Sequence, residues 1–392
     1  MRLAVWPIAL TLPLAACRAG FDPQPDAPPA SPVLLCGSPP QFSITLPPGG
    51  GSGSGTGAPP NPVPALAATG NDAGFYVLAV DLAGGVHGLS YAFTSGSVAP
   101  AVTDVHVFSG ATGTVAASPT TGGVLASILY GIPDATGTAL VPLDGSLAPR
   151  ANVQRYAAWF GSDRTIARAA DGTLAFLGET TDIAAKLVSP DGLSLSSEHT
   201  VIDRSEQPHD STIIASDAGF LVTWSSAAPT SADEVRAAIF DKQLTAPVVT
   251  TRTINPMPTF DGQGPRAAYA PGPDRYLFAW WLKNQTTDEV WISLRDGSLG
   301  EVRSVQVSRR GKFPKVIAGD KDFLVVWQDL DADSGLGAAR VNFDDASLQP
   351  LVVSGNGGGA LAWDLVSRAG QHVLIWFEDG ASPVVWLDPL CN

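Results

Sequence analysis

Residues 322–335, DFLVVWQDLDADSG, join two unlike halves. The first, FLVVW at 323–327, is apolar without alternation, the pattern of a strand covered on both faces. The second places Asp329, Asp331 and Asp333 at alternate positions before Gly335. Calcium loops share that spacing, and so do solvated acidic turns. FLVVW has relatives: FLVTW at 220–224, YLFAW at 276–280 and HVLIW at 372–376. Weaker ones are FYVLA at 75–79, GVLAS at 123–127 and TLAFL at 173–177. Aligned, the copies fall at 79, 128 (one residue past GVLAS), 177, 224, 280, 327 and 376, so the steps are 49, 49, 47, 56, 47 and 49. A period near 49 is a repeat array.

Each copy has the same internal order. A small, alanine-rich strand precedes it, as in VPALAAT, TVAAS, RTIARAA, STIIAS, RAAYA, KVIAG and LAWDLV. A short turn follows, then the FLVVW strand, then a third strand ending near an aspartate, then a more polar fourth. Four short strands with Gly, Pro and Asp turns make one antiparallel sheet. Sheets repeated at this length predict an all-β fold, a seven-bladed β-propeller. Alanine suits the first strand because innermost strands crowd around the axis. Trp224, Trp280, Trp327 and Trp376 recur at one position, which points to packing between blades.

The seventh repeat ends after its third strand, at Asp388, while QFSITL at 41–46 is a strand without a repeat. That segment is expected to supply the missing outer strand and close the ring. Residues 40–392 are then the propeller: 41–46 the closing strand, 47–61 a Gly/Ser/Pro loop, and 62–391 the blades.

Composition sets outer limits. Glycine (41) and proline (33) are abundant, which favours turns over long helices. Net charge is −14 with no basic cluster, which argues against nucleic acid as a partner. Beyond the N-terminus no run of 18 apolar residues reads as a membrane span.

The N-terminus itself, residues 1–16, reads as a signal peptide: Arg2, an apolar run, and small residues at its end. Leu14-Ala15-Ala16-Cys17 resembles the bacterial lipobox, which implies lipidation of Cys17 and a membrane anchor. An ordinary secretory signal with an incidental cysteine is the alternative. Arg18 after the cysteine favours the outer membrane by the enterobacterial sorting pattern, so the expected location is the cell envelope. Residues 17–39 form the lipidated cysteine and a Pro-rich tether. With Cys17 lipidated, Cys36 and Cys391 remain, either as a disulfide that locks the ring or as two free thiols.

The pattern A…G..FLVVWqD…aaRv, clearest at 313–341 and 212–240, resembles the repeat of secreted propeller lipoproteins from myxobacteria and related bacteria. The resemblance implies a propeller fold and an envelope location. It brings no catalytic residues with it.

Function is expected on the face with the longer connections: SSAAPTSADE (225–234), LKNQTTDE (282–289) and QDLDADSG (328–335). There Asp233, Glu234, Asp288 and Glu289 suggest an acidic patch for cations or a basic partner, and Asp329, Asp331 and Asp333 a calcium site. An EF-hand would have Gly and Glu where Ser334 and Arg340 stand, so the match is half a motif. The innermost strands carry Asp364 against Arg164, Arg168, Arg266 and Lys315. His87, His106, His199, His209 and His372 fall at unrelated repeat positions, and no HExxH, GxSxG or CxxC occurs. A monomeric binding or scaffolding module, with a protein or glycan ligand, is the leading expectation. A glycosidase or lyase with an axial site and a purely structural envelope protein are the alternatives.

Overall fold

A computed structural model describes residues 44–45 and 65–390, apart from 72–73, 82–83, 95–96, 133–134, 158–163, 228–231, 256–260, 284–287, 331–334, 352, 354–359, 369–370 and 379–383. Seven four-stranded antiparallel sheets follow one another along the chain. The first is β2 (Ala65–Asn71), β3 (Gly74–Val80), β4 (Gly85–Thr94) and β5 (Ser97–Ser109), and the second β6 (Ala111–Thr120), β7 (Gly123–Ile132), β8 (Ala135–Asp144) and β9 (Gln154–Ala157). The third is β10 (Ile166–Arg168), β11 (Leu174–Glu179), β12 (Ile183–Val188) and β13 (His199–Ile202). The fourth is β14 (Pro208–Ser216), β15 (Gly219–Ser226), β16 (Glu234–Phe240) and β17 (Pro247–Thr253). The fifth is β18 (Asp261–Ala270), β19 (Arg275–Lys283), β20 (Asp288–Asp296) and β21 (Glu301–Ser308), and the sixth β22 (Gly311–Ala318), β23 (Asp322–Asp329), β24 (Gly335–Asn342) and β25 (Leu348–Leu351). The seventh is β26 (Ala360–Arg368), β27 (Gln371–Glu378) and β28 (Val384–Leu390), with β1 (Ile44–Thr45) as its outer strand.

The first strands touch in an unbroken circuit, β2 to β6, β10, β14, β18, β22, β26 and back to β2. The fold is therefore a closed seven-bladed β-propeller. Its closure is the one expected from the sequence: Ile44 pairs with Val385 and Thr45 with Val384. Among the described residues no helix is long and apolar enough to cross a membrane.

The core lies between blades. Seven buried clusters each span one interface, the last joining Ala362, Val366, Val373 and Ile375 of blade 7 to Leu66, Phe75 and Val77 of blade 1. The second strands supply much of it because both of their faces meet a neighbour, and every residue of β15 is buried. Trp224, Trp280, Trp327 and Trp376 all sit in these clusters, as expected.

The turn from third to fourth strand repeats one device. Asp144, Asp241 and Asp296 end or follow a third strand and accept hydrogen bonds from residues two to four further on. Asp296 takes Ser298 N–H at 2.9 Å, Ser298 Oγ–H at 2.7 Å and Gly300 N–H at 2.8 Å. These bonds favour the ionised form and hold all three carboxyls below the usual range. Three residues beyond each aspartate, Leu147, Leu244 and Leu299 take left-handed backbone (φ 65°, 58° and 64°) and bury their side chains under the blade. The aspartate network and the buried leucine together hold this left-handed turn.

Candidate axial site

The pairing register lays one ring of equivalent positions around the axis. Ala67 pairs with Leu78, Ala116 with Ser127, Ile166 with Phe176, Thr212 with Thr223, Arg266 with Ala279, Lys315 with Val326 and Asp364 with Ile375. Each partner is one residue before the aligned end of its repeat. Blades 1 to 3 lack the tryptophan but keep this register. The ring is thus apolar on blades 1 to 3 and polar or charged on blades 4 to 7.

Asp364 is its focus. The side chain is buried. Oδ2 accepts the backbone N–H of Ala68, on blade 1, at 2.8 Å. Oδ1 lies 3.5 Å from Arg164 Nη2, on the blade 3 entry, and 3.5 Å from Lys315 Nζ, on blade 6. Four blades therefore meet at one carboxylate. Burying a charged side chain is costly unless it is paired and hydrogen-bonded, as it is here. Arg266, at the same level on blade 5, donates Nη1–H to the Pro265 carbonyl at 2.9 Å.

Beside this ring lies a cavity of about 240 Å³. Its walls are inner-strand residues: Ala67, Ala68, Ala116, Ala117, Ile166 and Ala167 among the apolar ones, and Thr69, Arg164, Arg168 and Asp364 among the polar. Apart from Arg164, every lining residue stands at or after the ring position of its strand. The cavity therefore occupies the side of the ring toward the turns between first and second strands. That is the side opposite the longer connections, where function was expected. Alanine, expected here because the inner strands crowd, also leaves this space beside the axis.

The residues singled out on the other face are tied into local structure. Glu234 opens β16 and holds Arg236 through Nε and Nη2, both at 3.0 Å; Arg236 also bonds Glu206. Asp233 accepts from His209 Nε2 at 3.2 Å. Asp288 and Glu289 are strand residues of β20, and Glu289 accepts the Trp291 indole N–H at 2.9 Å. Asp329 is the last residue of β23, paired with Gly311 and Gly335, rather than part of the loop. Asp331, Asp333, Cys17, Cys36 and Cys391 lie outside the described residues. No disulfide and no group of three potential metal ligands occurs among the described residues. The connections are also shorter than drawn from the sequence: the strands run on to Ser226, Lys283 and Asp329 before the chain turns.

Sequence reasoning missed Glu179. It ends β11, is half-buried, and accepts the Ser211 N–H from the entry to blade 4. Burial pushes its carboxyl above the usual range, and the charge of nearby Asp210 adds to the effect. Nothing in the local pattern LAFLGE marks it, because the burial comes from the next blade. His372 is a second miss. Fully buried on β27, it lies 3.5 Å from Asp322 on β23, which also binds Arg340 at 2.9 Å and so staples blade 6 to blade 7.

No family model matches the chain, and no curated protein matches it. Solved structures do. The β-propeller domain of the Trilobed protease from Pyrococcus furiosus is 9% identical over 84% of this chain and 98% of that one, with a TM-score of 0.47. An oligogalacturonate lyase from Vibrio parahaemolyticus is 12% identical over 89% and 96%, TM-score 0.46. A quinohemoprotein alcohol dehydrogenase from Comamonas testosteroni is 8% identical; 80% of this chain aligns, spanning 65% of that chain, TM-score 0.45.

Proposed function

We propose that this chain is an envelope-anchored binding module that takes its ligand at the propeller axis. The observation that carries the reading is the state of Asp364. It is the one carboxylate among the residues lining the cavity, and it is already engaged by Arg164, Lys315 and the Ala68 N–H. Glycoside hydrolysis ordinarily needs two carboxyl groups facing each other across the scissile bond. An axis with one clamped carboxylate and several cations is better suited to holding a ligand than to cleaving one.

The anchor belongs to the same proposal. Lipidated Cys17, a Pro-rich tether to residue 39 and a Cys36–Cys391 bridge fit a chain whose outer closing strand is its N-terminal one, and an envelope location fits the myxobacterial-type lipoproteins it resembles. β1 is antiparallel to β28 and enters the ring on the side where β28 ends. Tether and cavity are then on the same face. A Cys17→Ser variant should move from the membrane to the soluble fraction, and retention in the membrane would refute the anchor. Cross-linking pull-down from intact envelopes, with and without calcium, tests for a partner and for calcium at Asp329, Asp331 and Asp333.

A second reading, a polysaccharide-active enzyme, draws on Glu179, whose carboxyl is pushed up by burial as that of a general acid is. Release of reducing ends from acidic or neutral polysaccharides, lost in Glu179→Gln, would establish it in place of the first.

A further inference from the structure

We infer that the axial cavity binds a small organic carboxylate. This rests on the reading of the axis as the binding site and adds the class of ligand. Charge is the first ground. Arg164 and Arg168 line the cavity and Lys315 stands behind Asp364, so three cations face one carboxylate. The chain as a whole carries −14, so its axis opposes its surface in sign. The rest of the wall is mostly alanine, isoleucine and leucine, and a charge beside such surroundings acts more strongly than at an open surface.

Geometry is the second. Arg164, at the entry to β10, and Arg168, its last residue, stand two residues before and two after Ile166, and so bracket the cavity along the axis. The protein already displays the mode of capture. Asp364 is a carboxylate held by a guanidinium, an ammonium and an inner-edge N–H, that of Ala68. The innermost strand of each blade has one sheet neighbour, so its other edge of N–H and C=O groups faces the axis. A ligand carboxylate can be received by the same set of donors. Size is the third. About 240 Å³ is below the roughly 300–1,000 Å³ of pockets that enclose drug-sized ligands. A polymer does not enter it, and a compact acid does.

Calorimetric titration of the full-length protein in detergent tests this with four probes: hexanoate, glucuronate, hexanamide and glucose. At least one of the two acids should bind at least about tenfold more tightly than its neutral counterpart, more weakly as salt rises. Preference between hexanoate and glucuronate tells an apolar body from a sugar. Arg168→Gln should weaken binding about tenfold or more, as expected for losing a charge-assisted hydrogen bond. Arg168 is exposed, so this variant should fold, which a melting curve checks. Asp364→Asn should strengthen binding, because it removes the competing carboxylate. Acid and neutral probes binding alike, no binding of either acid, or either variant without effect would each overturn the inference. A partner recovered by pull-down alongside such a result would leave the binding-module reading standing. Turnover of a glycan would overturn that reading and not the carboxylate site.

Discussion

Gly219→Ala should unfold this propeller far more readily than its one methyl group suggests. Gly219 opens β15 with φ +143°, a backbone conformation that residues with a β-carbon rarely take. A β-carbon there would stand 2.0 Å from the Phe240 carbonyl oxygen and 3.0 Å from the carbonyl carbon of Asp241. Non-bonded heavy atoms sit about 3.5 Å apart. The end of β16 would have to retreat by more than 1 Å, at about that order. That end carries Phe240, which packs in the blade 3 to blade 4 cluster with Phe220 and Trp224. Backbone strain contributes about 1–3 kcal/mol, and forcing packed groups apart contributes about 1–3 kcal/mol more. The total expected loss is about 2–6 kcal/mol. Equilibrium urea unfolding measures it, with Gly272→Ala as control. Gly272 has no heavy atom within 4 Å of the added carbon, so the control should change stability by less than about 1 kcal/mol. Gly123 holds the same place in blade 2, with φ +154° and a clash at 2.1 Å with the Leu143 oxygen, and Gly123→Ala should behave like Gly219→Ala. If Gly219→Ala falls within about 1 kcal/mol of the control, the close approach is not a constraint and the reasoning is wrong.

Three further outcomes follow from the blade architecture. Asp296→Ala removes three hydrogen bonds from the turn that carries left-handed Leu299, and should cost about 1–2 kcal/mol, as loss of a comparable cap does. Because Asp144, Asp241 and Asp296 titrate below their unfolded value, their contribution is complete above that value, near pH 4. It is lost as pH falls through the lower folded values, so a melting series should show stability dropping below about pH 4, less steeply in Asp296→Ala. Trp280→Ala, at a side chain with no exposure, should cost about 3–5 kcal/mol by urea unfolding. A much smaller loss would mean that the blade 4 to blade 5 interface repacks.

The sequence alone determined the repeat and the closure, and the structure supplied the register of blades 1 to 3. Repeat and closure rest on near-neighbour rules: a strand between two blades must be apolar on both faces, and a ring with a free edge must find a strand. Those rules leave their mark at a fixed period, so aligning FLVVW with TLAFL located the second strand of blade 3 although it has no tryptophan; that Phe176 stands opposite Ile166 came from the structure. The candidate site obeys no such period. Arg164 and Asp364 are 200 residues apart and meet because blades 3 and 7 face the same axis. Glu179 becomes half-buried and His372 fully buried only when the neighbouring blade covers them. Residue types showed that the inner strands carry more cations than acids. Only ring closure decided that Asp364 would be clamped by three blades besides its own, and that the cavity would lie on the short-turn side. A site built from single residues contributed by separate repeats has no local signature, because the repeats were aligned by what they share and the site consists of what they do not.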